Sequence, residues 1–197
     1  MNNYDKILKY MDENNGYITT SELLKLNVNK NFLSILVKRK KIQRIENGVY
    51  KLPDYPMDNF YVLTTRSKHM CYSHSTALYL HNMCDRVPLV YDVTVPYNYS
   101  GSLLKDSNVS LRYVKNELLE LGMIKIKTIN NLEVKCYDVE RTICDIIKDK
   151  NSMDKEIYSK ALKEYAKSKN KDILKLIKYA KKLNIEKEVI ESMEVIL

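Results

Sequence analysis

At 197 residues the chain has room for one large domain or two small ones, and its 45% hydrophobic content suits a protein that folds around a packed core. Its net charge of +8 is uneven: residues 1–52 carry ten Lys/Arg against five Asp/Glu, residues 53–139 nine against nine, and residues 140–197 fourteen against eleven. No apolar run approaches the roughly 18 residues of a membrane span, the N-terminus lacks an apolar signal core, and Cys71, Cys84, Cys136 and Cys144 form no C-x-x-C pair, which argues against membrane, secreted and disulfide-stapled classes and for a cytoplasmic chain with reduced thiols.

Residues 1–52 read as a winged helix-turn-helix. Ile7, Leu8 and Met11 share one face of a first helix, which Asn14-Asn15-Gly16 stops. Thr20-Ser21-Glu22 opens a second helix carrying Leu23, Leu24 and Leu26, and Asn27-Val28-Asn29 is a polar turn whose Asn29 can cap a third. In that third helix Phe32, Leu33, Leu36 and Val37 make the buried stripe, while Asn31, Ser34, Lys38 and Lys41 fall opposite. Between Asn29 and Arg44 stand six cations (Lys30, Lys38, Arg39, Lys40, Lys41, Arg44) and no acid. A helix that buries one stripe and carries a single sign of charge on the other suits a polyanion. Residues 42–45 then alternate, Asn47-Gly48 supplies a hairpin turn, and residues 49–52 alternate back, forming the wing. Asn31, Ser34 and Lys38 are expected in the groove, Lys30, Lys40, Lys41, Arg44 and Lys51 on phosphates, and Asn47 at the wing tip.

Pro53-Asp54-Tyr55-Pro56 reads as a linker, which divides the chain into a DNA-binding domain at 1–56 and a separable second domain at 57–197. Past it, residues 60–66 and 73–81 read as helices. Residues 90–95 form a strand ending at Pro96, followed by strands at 109–114, 123–129 and 132–137, with Asn130-Asn131 as the turn between the last two. Helices are expected at 139–150, 155–167, 171–183 and 186–196. The fold class is α+β: a winged helix-turn-helix, then a mixed domain with a small β-sheet and a C-terminal helical tail.

Three segments, in this order, resemble the AbiEi-type antitoxins of bacterial abortive-infection, type IV toxin–antitoxin pairs. They are the basic third helix with the wing Ile45-Glu46-Asn47-Gly48-Val49-Tyr50, the short helix Ser73-His74-Ser75-Thr76-Ala77-Leu78, and the strand-to-helix segment D-x-E-R-T-x-x-D with Asp138, Glu140, Arg141, Thr142 and Asp145. The resemblance covers most of the chain and leaves the last two helices unmatched. It implies a phage-defence antitoxin that represses its own promoter through repeated operator sites. It further implies that the chain counters a nucleotidyltransferase-like toxin without forming a stable complex. Separately, the residues assign no enzymatic role and no cofactor.

Other constellations invite chemistry. In the D-x-E-R-T-x-x-D segment, Asp138 can cap a helix, Glu140 suits the positive end of the helix dipole, and Arg141 can pair with Asp145 one turn on. That reading pins the fold and leaves no catalytic role. Cys71-x2-His74 and His81-x2-Cys84 offer zinc-ligand types, but their six-residue spacer is short for paired-ligand patterns, so no metal is assigned. Asp92 with Glu133-x-Lys135 imitates a metal-dependent nuclease if the three converge, which makes a winged-helix nuclease the competing class. A ligand-sensing regulator is a third, and would need a deep apolar pocket. Lys160, Lys163, Lys167, Lys171, Lys175, Lys178 and Lys182 recur at three- and four-residue spacings, compatible with one broad basic face over consecutive helices.

Overall fold

A computed structural model describes residues 2–194 and shows an α+β protein of two compact units. The first comprises the described residues up to Arg66 together with Lys127–Val134; the second comprises Ser67–Ile126 and the described residues from Lys135 onward.

The first unit begins with α1 (Asn3–Glu13), capped by the Asn2 side chain, which accepts from the Asp5 N–H at 2.9 Å. Asn15 and Gly16 end it in the left-handed region, at φ 54° and 82°. A Cβ on Gly16 would lie 2.2 Å from the Tyr55 ring, so this stop requires glycine. β1 (Tyr17–Thr19) leads into α2 (Thr20–Lys25) through a reciprocal cap: Thr19 Oγ1 accepts from Glu22 N at 3.2 Å, and Glu22 accepts from Thr19 N at 2.7 Å. α3 (Asn31–Lys38), β2 (Gln43–Glu46) and β3 (Val49–Lys51) complete the winged helix. Ile7, Met11, Ile18, Leu23, Leu33, Leu36 and Ile42 form its core.

The strand order β1-β3-β2 explains one departure from the sequence reading. Alternation predicts a half-wet wing strand at 49–52, yet Val49, Tyr50 and Lys51 are all buried, because both faces of β3 are covered: Tyr50 packs into the helical core with Leu33 and Leu36, and Val49 packs with Tyr17, Val62 and Leu132. The β2–β3 register shifts between Arg44 and Glu46, and Gly48 turns the hairpin at φ 78°.

The first unit also runs past Pro56, where the sequence places the boundary. α4 (Asn59–Thr65) contributes Val62 to a second small core with Tyr17, Val49 and Leu132. The Asp58 carboxylate, almost fully buried, accepts from Tyr61 N at 2.9 Å, Thr128 Oγ1 at 2.5 Å and Asn130 Nδ2 at 3.0 Å. These contacts place residues 58–66 and Lys127–Val134 in the winged-helix unit.

The second unit contains β4 (Cys71–Tyr72), α5 (His74–Leu80), β5 (Tyr91–Pro96), β6 (Val109–Val114), α6 (Asn116–Leu119), β7 (Met123–Lys127), β8 (Glu133–Tyr137), α7 (Val139–Lys148), α8 (Lys155–Lys167), α9 (Ile173–Leu183) and α10 (Glu186–Glu194), with the turn end of β7 and β8 assigned to the first. The five-stranded sheet runs β6-β5-β4-β8-β7 and is mixed: β5 pairs parallel with β6 and antiparallel with β4, which pairs parallel with β8. The sequence extends the last helix to Ile196; Val195 and Ile196 lie outside the described residues. Ile143, Ile146, Ile147, Leu162, Leu176, Ala180 and Val189 form the helical core. Among the described residues no helix is long and apolar enough to cross a membrane.

Candidate nucleic-acid interface

α3 buries Leu33 and Leu36 and turns Asn31, Ser34 and Lys38 to solvent. Lys30 precedes the helix, and Lys40 and Lys41 follow it, all exposed. The Asn29 side chain accepts from the Asn31 N–H at 2.9 Å and so fixes the helix start. At the other end Lys40 takes φ 56°, and the N–H groups of Lys40 and Lys41 return to the carbonyls of Val37 and Leu36 at 2.9 and 3.0 Å. That closure turns the chain out of the helix while both lysine side chains stay in water. Arg39 is exposed in the same basic run, though the sequence gives it no particular contact; its guanidinium lies 5.1 Å from the Tyr4 ring centroid, which restricts its orientation.

The wing presents an oriented arginine. Arg44 is exposed and donates from Nη2 to Asn47 Oδ1 at 2.8 Å and from Nε to the Glu46 carbonyl at 3.3 Å. Asn47 therefore positions Arg44, a role beyond the tip contact expected of it. The wing's one acid, Glu46, is held by Arg66, whose Nε donates to its carboxylate at 2.9 Å. That pairing leaves the wing's outward charge positive.

Lys51 is a correction. Its expected place is on phosphates, but it is only 5% exposed, and its ammonium donates to the carbonyls of Leu52, Pro53 and Tyr55 at 2.8, 3.1 and 2.6 Å. The turn gathers three carbonyls, of which only that of Leu52 also takes a backbone N–H, from Tyr55 at 3.3 Å, and the lysine closes them.

In the second unit Asp138, Glu140, Arg141, Thr142 and Asp145 are all buried. Asp138 caps α7, accepting from Arg141 N at 2.8 Å, and its other oxygen takes Tyr179 OH and Lys175 Nζ at 3.0 Å each. Glu140 accepts from Asp172 N at 3.2 Å and Lys175 at 3.0 Å. Arg141 is fully buried: its Nε donates to Asp145 at 2.9 Å and its Nη1 to the carbonyls of Leu118 and Leu121 at 2.9 and 2.8 Å, with the guanidinium 4.2 Å from the Tyr137 ring centroid. Burial works against its charge, but Asp145 beside it more than compensates and raises its pKa. Thr142 Oγ1 donates to the Tyr137 carbonyl at 3.4 Å. The segment thus ties α7 to the end of β8, to α9 and to the turn after α6.

Cys71, His74, His81 and Cys84 are not brought together. Cys71 Sγ donates to the Tyr72 carbonyl at 3.6 Å, His74 meets Asp149 at 3.1 Å, His81 meets the Tyr137 carbonyl at 2.7 Å, and Cys84 Sγ donates to the Arg86 carbonyl at 3.8 Å. Among the described residues no group of three or more His, Cys, Asp or Glu could hold a metal ion. Asp92 and Lys135 stand on β5 and β8, with β4 between. Lys135 donates to the Lys68 carbonyl at 2.7 Å, while Asp92 faces Arg112 at 3.8 Å. A polar network extends from the Ser73-His74 pair to residues that no sequence pattern links to it: Ser73 Oγ and His74 Nδ1 are 3.0 Å apart, and Asp149 bridges His74 to Arg112 at 3.5 Å. Its partners lie 75 residues apart, beyond any local signal.

The expected C-terminal lysine face is divided. Lys160 pairs with Asp85, Lys171 donates to the Ala166 carbonyl at 2.6 Å, and Lys175 spans Asp138 and Glu140; Lys163, Lys167, Lys178 and Lys182 are exposed.

No protein-family model matches this chain, and no curated protein sequence matches it. In fold it is similar to the RV2827C protein from Mycobacterium tuberculosis, with a TM-score of 0.62 over 98% of this chain and 76% of that one at 9% identity. At that identity the likeness shows a shared fold and carries no activity with it.

Proposed function

We propose that this chain is a sequence-specific DNA-binding repressor of its own promoter and the antitoxin half of a type IV abortive-infection pair. The supporting observation is the exposed face of α3, where Asn31, Ser34 and Lys38 stand above buried Leu33 and Leu36, with Lys30, Lys40 and Lys41 at the helix ends. Such a face offers hydrogen-bonding side chains to base edges and ammonium groups to phosphates. Arg44, held by Asn47, adds a wing contact. The antitoxin half rests on the ordered resemblance of the wing, the Ser73–Leu78 segment and the D-x-E-R-T-x-x-D segment. The chain acts by binding and performs no reaction of its own.

The test uses the DNA upstream of the gene and a neighbouring nucleotidyltransferase-like toxin. The protein shifts upstream duplex in gels at concentrations that leave an unrelated duplex unshifted. Neutralising Lys30, Lys40, Lys41 and Arg44 together flattens the salt dependence of binding by about 0.9 log unit of slope for each phosphate that is no longer neutralised. Co-expression restores growth to cells making the toxin, and the two proteins elute separately. Equal binding to both duplexes would remove the repressor half; no rescue of growth would remove the antitoxin half.

A further inference from the structure

A cleft in the second unit, lined by the end of α5, the start of α7, the end of α8 and the start of α9, has no part in the function proposed above. Its volume is about 570 Å³, within the range of small-molecule sites. The acids of the D-x-E-R segment line it, but their oxygens are committed. Asp138 holds Arg141 N, Tyr179 and Lys175, and Glu140 holds Asp172 N and Lys175. The uncommitted groups are mainly donors. Tyr165 is fully buried in the cleft wall, and its hydroxyl makes no well-formed hydrogen bond, having only the Glu140 carboxylate close by as a poorly placed acceptor. Native proteins rarely leave such a group unpaired unless a water or ligand completes it. Burial, with Glu140 nearby, pushes the phenol pKa up, so it stays a donor. Lys167 is exposed on the rim, and Lys171 has spent one proton on the Ala166 carbonyl. α7 and α9 both begin at this cleft, but their N-terminal ends are already capped by the Asp138 and Asp172 carboxylates, so the positive charge open to a ligand is that of the lysines. Met83, Ile124 and Val139 supply apolar wall, and Glu164 an exposed acceptor.

We infer that this cleft binds a small phosphate ester with a hydroxyl-bearing body. The phosphate lies against Lys167 and Lys171, the hydroxyls meet Tyr165 and Glu164, and the hydrocarbon face rests on Met83, Ile124 and Val139. A bare anion would leave the apolar wall uncovered, and an uncharged sugar would leave the lysines unpaired. The D-x-E-R segment then has a second consequence: by anchoring Lys175, Asp138 and Glu140 shape the cleft while staying out of direct contact.

The experiment is a titration of the full chain with ribose 5-phosphate, inorganic phosphate, ribose and a short single-stranded oligonucleotide. It follows tyrosine ring signals by two-dimensional NMR, with the Tyr165 signal assigned from the Tyr165→Phe variant. The expected result is a saturable shift at Tyr165 with ribose 5-phosphate and a weaker one with inorganic phosphate. Ribose produces none, and the Lys167→Gln/Lys171→Gln double variant loses affinity by about tenfold or more while keeping its melting temperature. Three results each overturn the inference: no saturable shift with either phosphate, unchanged affinity in the double variant, or saturation by the oligonucleotide alone.

Discussion

Asp58 and Thr128 lie seventy residues apart in sequence and share a buried hydrogen bond of 2.5 Å within the winged-helix unit. The bond makes the turn after β7 part of the DNA-binding unit, alongside Leu132 in the core with Tyr17, Val49 and Val62. Separability therefore changes. A chain beginning at Met57 keeps α4 and this turn but loses Tyr17 and Val49, leaving Val62 and Leu132 uncovered. Such a fragment is expected to aggregate or to show rapid proteolysis within 57–66 and 127–134, where the full chain resists. A monomeric, protease-resistant fragment by size exclusion would show that residues 1–56 are dispensable for this core.

Lys51 separates packing from charge. Replacing it with glutamine strands the carbonyls of Pro53 and Tyr55, and is expected to cost on the order of 1–3 kcal/mol in urea unfolding. The salt slope of DNA binding stays as in the wild type, because this ammonium never reaches a phosphate. Lys41→Gln, at an exposed phosphate-facing position, does the reverse: a flatter slope with an unchanged melting temperature. A Lys51 variant that flattened the slope would return the residue to the interface.

Arg141 uses its fork geometry on three acceptors from two directions, Asp145 on one side and the Leu118 and Leu121 carbonyls on the other. Arg141→Ala leaves Asp145 as a buried unpaired carboxylate, with an expected loss of about 3–5 kcal/mol. Arg141→Lys recovers little of it, since an ammonium cannot span those positions. An unchanged melting temperature together with lost antitoxin activity would instead make Arg141 a functional contact.

Tyr165→Phe tests the unpaired hydroxyl in the ligand-free protein. Removing an unsatisfied buried group of the same shape is neutral or stabilising, whereas removing a bonded one is not. The melting temperature of the variant is expected to equal or exceed that of the wild type. A fall of several degrees by calorimetry would mean the hydroxyl is engaged.

Asp149 gives the second unit an acid-sensitive point. The hydrogen bond from His74 holds its carboxyl below the ordinary 3.8, aided by Arg112 and opposed by burial. A depressed folded-state pKa contributes stability that is present above the unfolded value and is lost as pH falls through the folded one. Stability should thus decline below about pH 4, and His74→Gln should shrink that decline. A variant whose acid melting curve overlays the wild type would remove Asp149 from the account.

Much of this is legible in the chain. Val109–Val114 and Lys155–Lys167 fall where alternation and helical spacing put them, and the left-handed Asn15, Asn131 and Gly48 fall at the expected turns. The exposed face of α3 is legible for the same reason: a helix with one apolar stripe has only one other face to offer. β4 is not, because two residues are too few to show a period, yet it joins β5 to β8 in the centre of the sheet. Lys51 escapes the pattern because alternation describes a strand with one wet face, and β3 has both faces covered, Tyr50 by one cluster and Val49 by another. The hold of Asp58 on Thr128, like that of Asp149 on His74, depends on contacts between distant segments, which local pattern does not encode.

The membership of Lys127–Val134 in the first unit also sets an order of assembly on the ribosome. α1 to α4 are made early, but Leu132 and Thr128 arrive only after most of the 197 residues have been synthesised. At ~5–20 residues per second, the roughly seventy residues that follow Arg66 take several seconds to emerge. Nascent chains stalled before residue 128 should accordingly carry a winged helix whose α4 flank is still open to protease, and chains stalled well past residue 134 one that is closed.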